Sequence, residues 1–287
     1  MDSSKAEIAQ EFPGMIRVYK DGHVERLVET DFVPASNDTI TGVTSKDITI
    51  LSKSNISISA RLYLPTKLTN PNQKLPLLVY FHGGAFCLSS PFTSSCIRDS
   101  WAALQWVESH CNNGGPEAWL NEHVDFERVF LAGESSGANV AYNLAMKVGE
   151  TQAQAQFGLK MGLLGVALVH PFFWGSNPTG SDAQNPSWKA VVDRLWPFVC
   201  PAQPDNDNPW ANPVAEGAPS LAQLGCRRVL VCVAEKDILR DRGWLFYEAL
   251  SRSGWMGVVE IEETEGEDHG FHLNDLKCEK ARDLIKH

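Results

Sequence analysis

Residues 128–137 read Arg-Val-Phe-Leu-Ala-Gly-Glu-Ser-Ser-Gly, and the fold is decided there. Arg128-Val129-Phe130-Leu131-Ala132 is a short, nearly continuous apolar run, the pattern of a strand covered on both faces. Gly133-Glu134-Ser135-Ser136-Gly137 follows at once and matches Gly-x-Ser-x-Gly. Ala141, Leu144, Ala145 and Val148 then recur at helical spacing. A strand that turns sharply into a helix needs residues without a Cβ on either side of the turn. Such a turn lifts the Ser135 hydroxyl into solvent and aims the next helix's N-terminus at the charge that develops during attack. The five-residue pattern alone arises by chance in many proteins, and a glycine turn that only packs helix on strand would also produce it. The strand before it and the helix after it favour a nucleophile at Ser135.

Upstream, Met15 to Leu27 alternates apolar and polar residues around Asp21-Gly22, which predicts a tight hairpin. Lys46 to Leu51 and Ile56 to Leu64 are strand-like, and Leu75 to Phe81 reads as a buried strand ending at His82-Gly83-Gly84. Asp99 is placed to cap a helix carrying Ala103, Leu104 and Val107. Downstream, Leu163 to Val169 and Arg228 to Val233 are apolar runs of the parallel-sheet type, and Val258 to Glu262 is a weaker alternating strand. Asp241 to Ser253 reads as a helix closed by Gly254. Repeated strand-helix-strand order predicts a mostly parallel central sheet with helices on both faces and right-handed crossovers, an α/β class.

Phe172 to Ala211 interrupts this rhythm with prolines and four tryptophans, Trp174, Trp188, Trp196 and Trp210. An ordinary long surface connection is the bland reading, but four large aromatics need something to pack on, and the segment is read as a cap insertion. The whole of 1–287 is read as one domain. Its 25 Lys and Arg against 35 Asp and Glu give a net charge of −10 without a basic cluster, so no footprint for nucleic acid or an anionic membrane is expected. No apolar run is long enough to span a bilayer, and Met1 to Gln10 does not read as a secretory signal. Cys87, Cys96, Cys111, Cys200, Cys226, Cys232 and Cys278 form an odd set without Cys-x-x-Cys spacing. That argues against a disulfide framework and a zinc site, and for the reduced cytoplasm.

Serine becomes a nucleophile when an imidazole takes its proton and a carboxylate holds that imidazole in the right tautomer. Following a Gly-x-Ser-x-Gly elbow, the acid and the histidine are expected in the order Ser, Asp, His. Asp237 follows the strand ending at Val233 through Ala234-Glu235-Lys236, and Asp241 competes with it. His269 follows the last strand in Glu267-Asp268-His269-Gly270-Phe271-His272, and His272 competes. A capping aspartate and a structural histidine are the bland alternatives. At the strand preceding the elbow unit, the amides of Gly83, Gly84 and Ala85, with that of Ser136, are candidates for an oxyanion hole. No metal and no cofactor is called for.

His82-Gly83-Gly84-Ala85-Phe86, the elbow, Asn212-Pro213-Val214-Ala215-Glu216-Gly217-Ala218-Pro219, Ala234-Glu235-Lys236-Asp237 and Glu265-Gly266-Glu267-Asp268-His269 together resemble the plant carboxylesterases of the hormone-sensitive-lipase-like group, over most of the chain. The resemblance implies the α/β-hydrolase fold, a triad of Ser135, Asp237 and His269, and a small-molecule ester substrate. It also implies that the N-terminal segment, about 1–40, and the 172–211 insert form a cap over an apolar acyl pocket. The related gibberellin receptors have lost the triad histidine, which is present here as His269. Legume 2-hydroxyisoflavanone dehydratases typically carry threonine at the nucleophile position, yet some have serine, so a lyase is the second reading. A receptor that retains its triad is the third.

One departure stands out. Between Ala85 and Arg128 the family supplies a helix, a central strand and a second helix, whereas here Ser89 to Arg98 is serine-rich with no buried-strand run. The family's Tyr-Arg-Leu-Ala-Pro-Glu-His-type segment is absent. A sheet lacking one central strand is expected, with the missing segment falling between Cys96 and Ile97.

Overall fold

A computed structural model of the chain describes residues 7–12, 14–28, 33–53, 56–67, 74–87, 96–153 and 161–286. Strands β1 (Ile8–Phe12), β2 (Ile16–Tyr19) and β3 (Val24–Arg26) form a small antiparallel sheet. Its β2–β3 hairpin turns at Asp21-Gly22, where Gly22 takes φ 88°, the positive φ that the dipeptide predicts. Strands β4 (Asn37–Asp38), β5 (Val43–Lys53) and β6 (Ile56–Pro65) form a second antiparallel sheet.

The main sheet begins with β7 (Leu75–Phe81), followed by helices α1 (Cys96–Glu108) and α2 (Ala118–His123). Strand β8 (Val124–Glu134), helix α3 (Ser136–Ala153) and strand β9 (Leu163–Val169) come next. The insert carries short helices α4 (Gly180–Gln184), α5 (Pro186–Val192) and α6 (Leu195–Val199). Strand β10 (Arg228–Ala234), helix α7 (Arg240–Arg252), strand β11 (Val258–Thr264) and helices α8 (Phe271–Asn274) and α9 (Glu279–Lys286) complete the order. The five main strands lie β11-β10-β9-β8-β7, every pairing parallel. Helix α3 buries Ala141, Leu144, Ala145 and Val148 against Leu131 of β8, Val166 of β9 and Val231 of β10. Each large aliphatic side chain so buried contributes about 1.5–3 kcal/mol.

Asp99 lies inside α1, which begins at Cys96, rather than at its cap. A carboxylate in the first turn still faces the positive end of the helix dipole, so the sequence signal was displaced by one turn, not misplaced in kind.

Strand β7 is the edge of the five-stranded sheet among the described residues, and β5 and β6 pair with each other instead of joining it. Leu77, Val79 and Phe81 pack inward on the core. On the other face of the same strand Leu78 is 60% and Tyr80 52% exposed. Among the described residues no strand lies between β7 and β8 in sequence; residues 88–95 of the shortened segment lie outside the described residues.

In the insert, Trp174 and Trp196 are buried with Phe172 and Leu195 against Phe12 and Ile16 of the N-terminal sheet and Leu239 after β10. Trp188 and Trp210 are exposed. Two of the four tryptophans therefore close an apolar cluster between the insert and the N-terminal hairpin, and Phe86 of the loop after β7 packs edge-on to both Phe172 and Trp196.

Candidate active site

Ser135 sits between the end of β8 and the start of α3 with φ 55°, a left-handed conformation that few residues other than glycine adopt. The turn is held on both sides. Ser135 donates its amide to the Val169 carbonyl at 2.9 Å, and its carbonyl accepts from Phe172 N at 3.0 Å and Asn139 N at 3.2 Å. A Cβ on Gly133 would collide with the backbone of Gly137, and one on Gly137 with the backbone of Phe81. Both glycines of the motif are thus fixed by close approach of main chain to main chain.

Asp237 and His269 reach Ser135 from the ends of β10 and β11. The Ser135 Oγ lies 3.0 Å from His269 Nε2, and His269 Nδ1 lies 2.7 Å from Asp237 Oδ2. Asp237 is 1% exposed, and its other oxygen accepts the Leu239 amide at 2.9 Å. The competing residues are occupied elsewhere. Asp241 accepts the Ser181 amide and pairs with Arg240, tying α7 to the insert. His272 is buried beside His170 and Phe271.

The loop after β7 brings Gly83, Gly84 and Ala85 alongside the elbow. Gly84, Ala85 and Phe86 have φ 114°, 51° and 61°, and Cys87 N donates to Gly84 O at 3.0 Å. Two consecutive non-glycine residues in the left-handed region hold strain that tight loops at functional sites often carry. Ser136 opens α3, so its amide belongs to the unpaired first turn of a helix. The carboxyl of Glu134 is wedged against Gly83, and its Oε1 is 3.5 Å from His269 Nε2.

Burial works against a charged His269 ring, but the hydrogen bond and charge of Asp237, with Glu134 and Asp268, outweigh it and hold the imidazole above its usual pKa. Burial pushes the Glu134 carboxyl up; His269 pulls it down, and Asp237 pushes it further up. Burial and His269 together lower His272. A neutral His269 that gains a proton while bonded to Asp237 is the arrangement a base for the Ser135 hydroxyl requires. His170, Asp237 and His269 bring ligand-type atoms within 4.8 Å of one another. Those of Asp237 and His269 are bonded to each other, and His170 Nδ1 accepts the Gly270 amide.

Glu134, Asn139 and His170 also belong to the site, and sequence reasoning gave them no role. Asn139 Nδ2 donates to the carbonyls of Phe172 and Trp210, joining α3 to both ends of the insert. A histidine directly after a buried parallel strand, as in Val169-His170-Pro171, was the available signal for His170.

The α/β-hydrolase fold family model matches residues 94–273. A 2-hydroxyisoflavanone dehydratase from Glycyrrhiza echinata is 43% identical over 320 residues, covering 99% of this chain and 95% of its own length. Probable carboxylesterase 2 from Arabidopsis thaliana is 38% identical over 317 residues, covering 100% of this chain and 96% of its own. Both matched spans exceed the 287 residues of the chain, so each relative carries residues within them that have no counterpart here. A thermostable esterase from Pseudomonas putida superposes with a TM-score of 0.66 at 22% identity, covering 86% of this chain and 81% of that one. Fold, family model and full-length relatives agree: the chain belongs to the α/β-hydrolase fold family.

Proposed function

We propose that this protein is a serine carboxylesterase that hydrolyses small to medium apolar carboxylic esters through an acyl-enzyme. One observation carries the reading: the continuous chain from Ser135 Oγ to His269 Nε2 at 3.0 Å and from His269 Nδ1 to Asp237 Oδ2 at 2.7 Å. Ser135 attacks the ester carbonyl while His269 takes its proton, and Asp237 holds the ring and balances its charge. The amides of Gly83, Gly84, Ala85 and Ser136 are the donors for the tetrahedral oxyanion. His269 then protonates the leaving alcohol, and water repeats the sequence on the acyl-enzyme to release the acid. The apolar cluster of the N-terminal hairpin and the insert, which meets the Gly83–Phe86 loop at Phe86, is the cap that would favour an apolar acyl group. The buried free thiols of Cys87, Cys200, Cys226 and Cys232 support a reducing, cytoplasmic setting.

A lyase acting on a hydroxyisoflavanone is the second reading, favoured by the 43% identity to a dehydratase over nearly the full chain. Turnover of p-nitrophenyl esters of rising chain length, with a burst of p-nitrophenol and covalent capture of Ser135 by a phosphonate, supports the esterase. Inertness to both, with efficient dehydration of a 2-hydroxyisoflavanone, overturns it in favour of the lyase. Inertness to both with tight binding of a hormone-like acid would mark a receptor.

A further inference from the structure

His170 stands directly after β9, and the mechanism above gives it no task. It is 1% exposed and takes φ 44°. A buried polar residue in a left-handed conformation persists where its surroundings over-determine it. Its contacts supply the reason. His170 Nδ1 accepts the amide hydrogen of Gly270 at 3.1 Å, and Gly270, the residue after His269, is itself left-handed with φ 67°. The His170 ring centroid lies 5.6 Å from that of His269 and 5.4 Å from that of His272. On the main-chain side, His170 N donates to Cys232 O of β10 at 2.8 Å, while its neighbours Val169 and Phe172 bond the amide and the carbonyl of Ser135. A single segment, 169–172, therefore grips the serine turn and the histidine loop together.

An amide hydrogen directed at Nδ1 requires that nitrogen to be unprotonated, so the neutral ring carries its proton on Nε2. Burial, with His269 and His272 nearby, pushes the His170 pKa down to about 3. The same tautomer leaves neither nitrogen with a lone pair to offer a metal ion, since Nδ1 is filled and Nε2 is protonated.

We infer that His170 is a positioning residue: by accepting the Gly270 amide it fixes the loop that holds His269 between Asp237 and Ser135. The inference rests on the esterase reading for its kinetic consequence, but not for its structural one.

The test contrasts His170→Asn with His170→Gln. Asparagine places an amide oxygen near the position of Nδ1 and tolerates the left-handed backbone. Glutamine reaches toward the position of Nε2 and leaves the Gly270 amide without its acceptor. With p-nitrophenyl butyrate, His170→Gln should lose about 10- to 100-fold in kcat, as misplacements on the ångström scale do, with KM nearly unchanged. Its acid limb should move to lower pH as the His269–Asp237 contact loosens. His170→Asn should recover most of the rate and restore the limb. Hydrogen exchange at the Gly270 amide should be slow in the parent and in His170→Asn, and fast in His170→Gln. Equal kcat and equal exchange in the parent and the glutamine variant would overturn the inference, as would an asparagine variant no better than glutamine when both melt at the same temperature. If the parent forms no phosphonate adduct at Ser135, the esterase reading fails, and the exchange contrast alone then decides the role of His170.

Discussion

Arg242 of α7 and Asp182 of α4 form a buried ion pair: 2.7 Å separates Arg242 Nη2 from Asp182 Oδ2, and the residues are 4% and 0% exposed. The same guanidinium donates to the carbonyls of Gly175 and Asn177, and Asp182 Oδ1 accepts the Thr179 amide at 2.6 Å. Asp182→Ala strands a buried cation and should cost about 3–5 kcal/mol, read as a fall in the urea midpoint. Adding Arg242→Met removes the stranded charge, so the double variant should melt above Asp182→Ala. Additive losses would show that the pair is not coupled.

Ranking variants tests the assignment of the three reacting groups. Ser135→Ala should abolish ester turnover and leave the melting curve in place, and His269→Ala and Asp237→Ala should each lower kcat by roughly 10³-fold or more. Asp241→Ala and His272→Ala should be far milder, because Asp241 is bonded to Ser181 and Arg240 while His272 packs on the rings of His170 and Phe271. The reverse order in steady-state kinetics reassigns the acid or the base.

The acid limb of kcat/KM should lie above the ordinary imidazole pKa, since Asp237, Glu134 and Asp268 together outweigh burial at His269. Glu134→Gln removes one of those charges, 3.5 Å from Nε2. Less stabilisation of the charged ring lowers its pKa, so the limb should move to lower pH. A limb that stays in place means that Glu134 is neutral when the enzyme works, and one that rises contradicts the assigned sign of its effect on His269.

His170 makes a separate prediction about stability. Its folded pKa is about 3 against an ordinary 6.5, so the unfolded chain takes up a proton that the folded one refuses. The contribution of this residue is complete above pH 6.5 and is lost as the pH falls toward 3. In the middle of that window the slope should approach about 1.4 kcal/mol per pH unit from this residue. His170→Asn, which cannot titrate, should flatten the dependence in urea unfolding between pH 7 and pH 5.

The sequence made some of this legible and concealed the rest for physical reasons. Strands β9 and β10 were readable because parallel strands covered on both faces are apolar without interruption, and β7 was readable from the same kind of run although its outer face, at Leu78 and Tyr80, is exposed rather than buried; the ends of all three matched the structure to within a residue. Ser135 was readable because the two flanking glycines answer to main-chain collisions that no other residue avoids. Local spacing alone left Asp241 beside Asp237 and His272 beside His269, since each pair lies within four residues and differs only in which way a loop turns; the choice of Asp237 and His269 rested on the family resemblance. The roles of Glu134, Asn139 and His170 were hidden for another reason: each acts through partners distant in sequence, such as Gly270 for His170 and Trp210 for Asn139.

Strand β7, the edge of the main sheet among the described residues, leads to a prediction about the protein as a whole. Unpaired backbone groups cost about 1–3 kcal/mol each where they are buried, against a total stability of about 5–15 kcal/mol, and open edges invite association. The chain should express poorly, self-associate and show weak esterase activity. Inserting between Cys96 and Ile97 the segment that the Glycyrrhiza echinata relative carries should raise the melting temperature and the rate. A monomeric, cooperatively melting and fully active 287-residue protein would contradict this.

Strand β7 also divides the labour of the site. Ser135, Asp237 and His269 hang from β8, β10 and β11, whereas the loop at Gly83 and Gly84 hangs from the strand at the open edge. Fraying would therefore begin at the loop proposed to cradle the oxyanion, and with it at Phe86, where the apolar cluster of the insert is anchored. Damage of this kind does not simply dim a catalyst. It loosens the anion cradle and the anchorage of the insert together, while Ser135, Asp237 and His269 keep their footing on the strands away from that edge.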